Sequence, residues 1–410
     1  MTSPRPIGLV IALALVVSAC GDDAAAPTTT LAPPTATTTA SSTTTGPTTT
    51  TEPPTISASI EVSMEGDDGA LAAVQALYGW IGDRSLATPE APGRLLDLLA
   101  DVHPTVDMTV EAVLHAADVE GGSVAVVTAD EDVVLLADEG SGWEVVGGHL
   151  ARFGVEPWYG SNVRHVLIIG TDKNRGSFQP VYRADSIHIL SANAQRGAGS
   201  VLGFPRDSWV EYSMGMDRFS SVNARSETHS EEMVEIAERL SGFEIDGYIV
   251  TGFGGFMSLV NAFGGVVVDV PFGMAEPKSN AFLSKGVQRL FGADALGFSR
   301  NRRITGGDFT RSKHQGVVIL GALDGVLEAD ITMVPTLLAI LQDYTWTNLS
   351  LGDLLNLSAV AFMMDPEKVT NIVLSGTNGI APGGAAVVFL DDDANAEIFE
   401  DLQDGVLDDG

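Results

Sequence analysis

Residues 162–172 read Asn162-Val163-Arg164-His165-Val166-Leu167-Ile168-Ile169-Gly170-Thr171-Asp172. A short apolar run rich in branched side chains and closed by glycine reads as a strand buried on both faces, here Val163–Ile169. The polar Gly-Thr-Asp at its end places Asp172 at a sheet edge. Working outward, Ser186–Ala192, Ser200–Phe204, Ile245–Thr251 and Gly265–Val270 repeat the strand texture. Helical spacing lies between and after them. Thr228 and Glu231 have the spacing of a capping box for a helix running to Leu240. A second helix is expected over Gly255–Phe263, and a long one from Asp308 burying Val317, Leu320, Leu323 and Val326. Helices over Val334–Leu341 and Leu351–Phe362, strands over Asn371–Leu374 and Val387–Leu390, and a helix over Ala394–Leu402 follow. Short strands alternating with helices define an α/β unit, assigned to residues 160–410.

The preceding stretch, residues 57–159, has a different texture. Leu71–Ile81 and Pro92–Leu99 carry helical spacing, and Ser123–Ala129, Asp132–Ala137 and Trp143–Gly147 read as strands, a small α+β accessory domain. His103, His115 and His149 have no metal-ligand spacing and read as structural or surface residues. Residues 21–56 are Thr, Ala and Pro with almost no large apolar side chain, so they cannot bury a core. That composition predicts an extended tether with a reach on the order of 100 Å. Residues 1–20 combine Arg5 with an apolar run, Ile7–Val17, too short for a permanent span. The run ends in Val17-Ser18-Ala19-Cys20, which resembles the lipobox of bacterial lipoproteins. A lipidated Cys20 would hold the protein at the extracytoplasmic face of the cell membrane. Cys20 is the single cysteine, which excludes an internal disulfide and a thiolate metal site.

Charge narrows the functional classes. The chain carries 22 Lys and Arg against 54 Asp and Glu, a formal net charge of -32. Nonspecific nucleic-acid binding needs a broad basic surface, so no nucleic-acid partner is expected. Against this background Phe298–Gln315 gathers Arg300, Arg302, Arg303, Arg311 and Lys313 around one acid, Asp308. Guanidinium forks suit phosphate oxygens, so this reversal of sign points to a bound anion. Three further polar clusters sit at strand ends: Gly170-Thr171-Asp172, Arg183-Ala184-Asp185-Ser186 and Pro205-Arg206-Asp207. Ligand groups in open α/β sheets collect at strand termini. Magnesium takes one or two carboxylates and fills its shell with substrate oxygens; Asp172 and Asp185 fit that pattern. Asp308, Arg311 and Gln315 stand at i, i+3 and i+7, which puts them on one helix face turned away from the apolar stripe. Singly, each is a turn residue or an ion pair. Their order within one unit carries the weight. A serine hydrolase is poorly supported, because no GxSxG elbow occurs.

The ordered series HVLIIGTD, RADSIHIL, GFPRDSWV, SVNA around Asn223, GYIVTGFGGFMSLVNAFGGVVVDVPF, GVQRLFGADALGFSRNRR, GGDFTRSKHQ and TNLSLGDLL resembles the LytR-CpsA-Psr family of bacterial cell-wall assembly proteins. The resemblance implies a three-layer-like fold with a central mixed sheet flanked by helices. It also implies a phosphotransferase that moves a glycopolymer from a polyprenyl diphosphate carrier onto peptidoglycan, releasing polyprenyl phosphate. By that resemblance Asp172 and Asp185 hold Mg2+, and Arg183, Arg206, Arg300 and Arg302 bind the diphosphate. Asp308, Arg311 and Gln315 match the motif that follows, and a hydrophobic tunnel takes the polyprenyl chain. Phe253, Phe256, Met257, Leu259, Val260 and Phe263 are its candidate lining, although such spacing is more often core. Asp207 and Asp308 are the candidates for a general base. Two departures stand out. Ala184-Asp185-Ser186 replaces the more usual Ser-Asp-Thr, and His314 occupies the place of a second arginine. The rival readings are a polyprenyl-diphosphate-binding scaffold of envelope synthesis and a polyprenyl-diphosphate glycan pyrophosphatase.

Overall fold

The computed structural model describes residues 57–172, 182–301, 304–327 and 329–407. The expected signal sequence with Cys20, the tether over 21–56, and Arg302 and Arg303 lie outside the described residues.

The N-terminal part holds β1 (Ile60–Glu65), α1 (Asp68–Gly82), α2 (Gly93–Leu99), β2 (Met108–Val119), β3 (Gly122–Ala129), β4 (Asp132–Asp138) and β5 (Glu144–His149). The strands form one sheet in chain order, with β1 and β2 parallel and the other neighbours antiparallel. Asp67 starts α1, its carboxylate accepting the N–H groups of Gly69 and Ala70 at 2.8 and 2.9 Å. β1 and β2 are additional to the expected elements. β1 buries only Ile60, Val62 and Met64, and β2 is broken up by Glu111, His115 and Asp118, so neither shows a long apolar run.

β3 shows why this sheet does not stand alone. Ala125 and Val127 pack with α1 and α2, while Val124 and Val126 point into the larger core of the following part. Successive strand side chains point to opposite faces, so β3 is buried on both. The second face is covered by α8 (Val334–Leu341) and α9 (Leu351–Ala361). Asn356 of α9 donates to the Val146 carbonyl at 2.9 Å. The close approach requires Gly147, where an added Cβ would lie 2.3 Å from Asn356 Oδ1.

Chain order after Gly160 is β6 (Val163–Thr171), β7 (Ala184–Asn193), β8 (Ala198–Gly203), β9 (Trp209–Tyr212), β10 (Gly215–Arg218), α3 (Phe219–Arg225), α4 (Ser230–Ser241), β11 (Gly247–Gly252) and α5 (Phe253–Ala262). Then come β12 (Val266–Val270), β13 (Met274–Glu276), β14 (Ala281–Leu283), β15 (Gly286–Leu290), α6 (Gly292–Arg300) and α7 (Asp308–Leu327). After α8, β16 (Thr345–Thr347) and α9, the chain closes with β17 (Val369–Val373), β18 (Gly376–Ile380), β19 (Ala386–Leu390) and α10 (Asp392–Asp401). The central sheet is mixed, in the order β16-β11-β6-β7-β8-β17, and helices α3, α4 and α7 pack against it. β6 pairs parallel to β11 and antiparallel to β7. The ends of β6, β8 and β11 and the start of β7 therefore share one edge, the α/β arrangement expected.

Two local expectations are corrected. The capping box is not formed: α4 starts at Ser230, its N-cap is His229 with φ 52°, and no side chain caps it. Glu232 instead accepts from the Ser213 backbone and hydroxyl, which draws the helix start towards the β9–β10 hairpin. Among the described side chains of α7, Leu323 is buried as expected together with Val318, Ile319 and Ala322, Val317 and Leu320 are half-buried, and the side chain of Val326 lies outside the described residues. A strict three-residue step falls about 60° short of a full turn each time, so that row spirals off any one face. The row of Asp308, Arg311 and Gln315 is not turned away from the apolar stripe either: Arg311 and Gln315 are buried and line the same space as Val318 and Ile319, because α6 and the sheet enclose the helix start.

Candidate active site

The site grows from the sheet edge. β6 and β7 meet at Thr171 and Ala184, after an irregularity between Gly170 and Thr171. The Asp172 N–H donates to the Arg183 carbonyl at 3.0 Å. Burial, and next the neighbouring Asp185 carboxylate, hold the Asp172 carboxyl above the usual range, opposed by Arg183 and Arg206. The two carboxylates are thus near enough for one to act on the other.

Arg206 follows β8 through Phe204 and Pro205, and its guanidinium hydrogen-bonds to Asp185. Its backbone N–H donates to Asp308 Oδ2 at 3.0 Å, and Asp308 Oδ1 pairs with Arg311 at 2.6 Å. Gln315 donates to the carbonyls of Asp185 at 3.1 Å and Ser299 at 3.3 Å. The first two turns of α7 therefore tie together β7, the segment after β8, and the end of α6. Arg300, the last residue of α6, lies over the Phe253 ring at 4.4 Å, a cation–π contact that aims its fork.

Two spaces adjoin there. The inner one is narrow, about 80 Å³, with apolar walls that include Ile168, Phe253, Phe256, Leu296, Val318 and Ile319. The outer one, about 360 Å³, is lined by Asp185, Arg206, Glu276, Lys278, Ser279, Arg300 and Arg311. Asp185, Arg300 and Arg311 line both. Of the tunnel candidates, Phe253 and Phe256 line the inner space, whereas Leu259, Val260 and Phe263 belong to the solid core.

Of the expected residues among those described, Asp185, Arg206, Arg300, Arg311 and Gln315 line these spaces and Asp308 braces Arg206 and Arg311 from behind, whereas Asp172 and Arg183 sit at the adjoining β6–β7 edge and line neither space. Asp207 stands apart from both spaces, its Oδ1 3.7 Å from Arg206 Nε and 3.5 Å from Arg218 Nε. His314 also lies outside them. It stacks on Phe298 with ring centroids 4.4 Å apart and faces Phe272 at 6.1 Å; burial pushes its imidazole down to about 4, so it is neutral.

Sequence reasoning missed a buried support beneath Asp185. Fully buried His188 contacts Ser186 Oγ and the Ser312 carbonyl, each at 3.1 Å. Burial pushes His188 down to about 4. A neutral ring then donates from Nε2 to the carbonyl and accepts the Ser186 hydroxyl at Nδ1. The signal was there: Ser186 and His188 are two apart on a strand and share a face. Lys278 was missed because it lies far in sequence from every cationic cluster.

No group of three or more metal-ligating side chains occurs among the described residues. The Asp172–Asp185 pair suits a hard cation that takes its remaining ligands from phosphate oxygens, and such a cation would offset the repulsion that raises Asp172.

Cations and paired carboxylates at a sheet edge, set over an apolar cavity, define a protein suited to an anion with an apolar tail. The chain belongs to the LytR-CpsA-Psr family, whose model matches residues 158–404. It is 26% identical over 207 residues to the polyisoprenyl-teichoic acid–peptidoglycan teichoic acid transferase TagV of Bacillus subtilis, covering 48% of this chain and 52% of that protein. It is 31% identical over 163 residues to the probable cell wall biosynthesis protein LcpB of Corynebacterium glutamicum, covering 36% and 38%. A TagU transferase of Bacillus cereus is 29% identical over 188 residues, covering 45% of this chain and 60% of that protein. The chain thus spans about half the length of the curated relatives it matches. The fold is that of the Bacillus subtilis TagV crystal structure, with a TM-score of 0.53 at 22% identity over 60% of this chain and 97% of that one. The gbs0355 structure from Streptococcus agalactiae also gives 0.53, at 20% identity over 59% and 87%.

Proposed function

We propose that this protein is a phosphotransferase that joins a glycopolymer, delivered on a polyprenyl diphosphate carrier, to peptidoglycan. The observation that carries the reading is the sharing of Asp185, Arg300 and Arg311 between an apolar cavity and a cationic cleft. An amphiphilic diphosphate fits that junction, with its chain in the cavity and its glycan in the cleft. The transferase names of TagV and TagU support the same chemistry.

An acceptor hydroxyl oxygen attacks the glycan-side phosphorus, and the bond from that phosphorus to the bridging oxygen breaks. Polyprenyl phosphate leaves with the hydroxyl proton, and a phosphodiester joins glycan to peptidoglycan. Arg183, Arg206, Arg300 and Arg302 clamp the diphosphate, and positioned cations are the main requirement of such a transfer. Asp308, Arg311 and Gln315 hold those cations in register. The Asp308 carboxylate is engaged by Arg206 and Arg311, and Asp207 stands outside the cleft, so neither is placed as a base. Asp172 and Asp185 are the residues that would hold Mg2+, which would supply positive charge to offset that of the diphosphate. Lipidation of Cys20 and the tether over 21–56 keep the protein at the extracytoplasmic membrane face, and residues 57–159 form an accessory domain.

Purified protein incubated with a lipid-linked diphosphate glycan, magnesium and peptidoglycan should give glycan on peptidoglycan and polyprenyl phosphate in equal amounts. Tight lipid binding without transfer would replace the reading with a scaffold. Equal phosphate release without peptidoglycan would make the protein a hydrolase.

A further inference from the structure

Lys278 lines the cationic cleft with Asp185, Arg206, Arg300 and Arg311, yet belongs to no motif that suggested the site. It sits in the turn between β13 and β14, and that turn is fixed. The buried Glu276 carboxylate accepts the Lys278 N–H at 2.9 Å, and the Asn280 N–H reaches the Pro277 carbonyl at 3.4 Å. Asn280 has φ 59°, the left-handed conformation that asparagine tolerates. The turn is pressed onto α6, where a Cβ added at Gly297 would lie 2.8 Å from the Asn280 carbonyl oxygen. Because α6 ends at Arg300, contact between these two elements sets the spacing of Lys278 and Arg300.

The lining residues give an order along the site. Phe256, Leu296 and Val318 touch only the inner cavity; Arg206 and Lys278 touch only the outer cleft. A diphosphate whose chain fills the cavity meets the shared residues with its carrier-side phosphate. Its second phosphate, the one to which the glycan is bonded, then lies on the side of Arg206 and Lys278. We propose that Lys278 is the outermost cation of the donor site and binds the glycan-side phosphoryl group, the one that is transferred. The inference rests on the donor reading above and deepens it by assigning the two phosphates to different side chains.

The test compares the full chain with Lys278→Ala and Lys278→Arg, titrated with geranylgeranyl diphosphate and geranylgeranyl phosphate at fixed magnesium. Lys278→Ala should weaken diphosphate binding roughly twofold to fivefold, the range of one exposed charge contact. It should leave the monophosphate unchanged, Lys278→Arg should restore the loss, and high salt should erase it. Equal diphosphate affinity in wild type and Lys278→Ala, or equal weakening of both ligands, would overturn the inference while leaving the donor reading intact. A wild-type protein that binds neither lipid would remove the donor reading, and this assignment with it.

Discussion

Asp308 Oδ2 accepts the backbone N–H of Arg206 at 3.0 Å, joining the start of α7 to the segment after β8 across 102 residues of chain. The other oxygen of the same carboxylate pairs with buried Arg311 at 2.6 Å. One side chain therefore fixes two cations of the cleft. Removing it leaves a buried guanidinium without this partner, and breaking a buried ion pair costs about 3 kcal/mol. Asp308→Ala should lower unfolding stability by that order in urea titrations and reduce donor binding. Asp308→Asn keeps an acceptor for the Arg206 N–H and should lose less. An Asp308→Ala midpoint equal to wild type would show that the carboxylate does not organise the site.

Asp172 and Asp185 supply a prediction about pH and metal together. The Asp172 carboxyl is raised by burial and by Asp185, so its ionisation works against the folded state. Its cost is absent below the ordinary carboxyl value of 3.8, where both states are protonated, and appears as pH rises through the folded value. Asp172→Asn should therefore be more stable than wild type at neutral pH, with the gap closing in acid. Magnesium should raise the wild-type melting temperature and leave that of Asp172→Asn nearly unchanged. The same magnesium shift in both proteins would take Asp172 out of the metal site.

His188 and His314 titrate in the opposite sense. Burial lowers each from 6.5 to about 4, so between those values the unfolded chain binds protons that the folded protein refuses. Stability is fully present above pH 6.5 and falls as pH drops towards 4; the two groups together contribute a slope approaching ~2.7 kcal/mol per pH unit. His314→Phe preserves the stack on Phe298 and should remove about half of that slope relative to wild type. His314→Arg, which restores the usual arginine of the family, should destabilise the fold without raising transfer, because it puts a charge between Phe298 and Phe272. A gain in transfer by His314→Arg would mean that this position reaches the diphosphate.

These cases show what the chain discloses on inspection. β6 was legible from the apolar run over residues 166–169 with a polar end, and β7 from the branched residues Ile187, Ile189 and Leu190 between polar ends, both strands being largely buried. Asp172, Asp185, Arg206 and Asp308 were legible because each borders such an element. β2 was not, since its core-facing positions include the small Ala112 and its exposed face mixes Glu111 with the apolar Val113, which blurs the alternation. β13 and β14 are three residues each, too short for any period to register, and their turn hides Lys278. The environment of His314 was equally hidden, because the Phe298 ring on which it stacks is 16 positions earlier and meets it only when α6 packs on α7.

The inner cavity allows the carrier chain to be separated from its phosphates. Leu296 is half-buried on α6 and lines the apolar walls, four residues before Arg300. Leu296→Trp should fill part of that space, and because the residue is not fully enclosed the larger ring is accommodated with a small loss of stability, about 1 kcal/mol. Apolar contact contributes roughly 25 cal/mol per Å² buried, so losing even 60 Å² or so of chain contact costs about 1.5 kcal/mol, or tenfold in affinity. Geranylgeranyl diphosphate should therefore bind Leu296→Trp at least about tenfold more weakly, while inhibition by inorganic diphosphate, which needs only the cations, stays as in wild type. Equal losses for both ligands would mean that the tryptophan has displaced Arg300 instead of filling the cavity. Unchanged lipid affinity would place the polyprenyl chain outside this space.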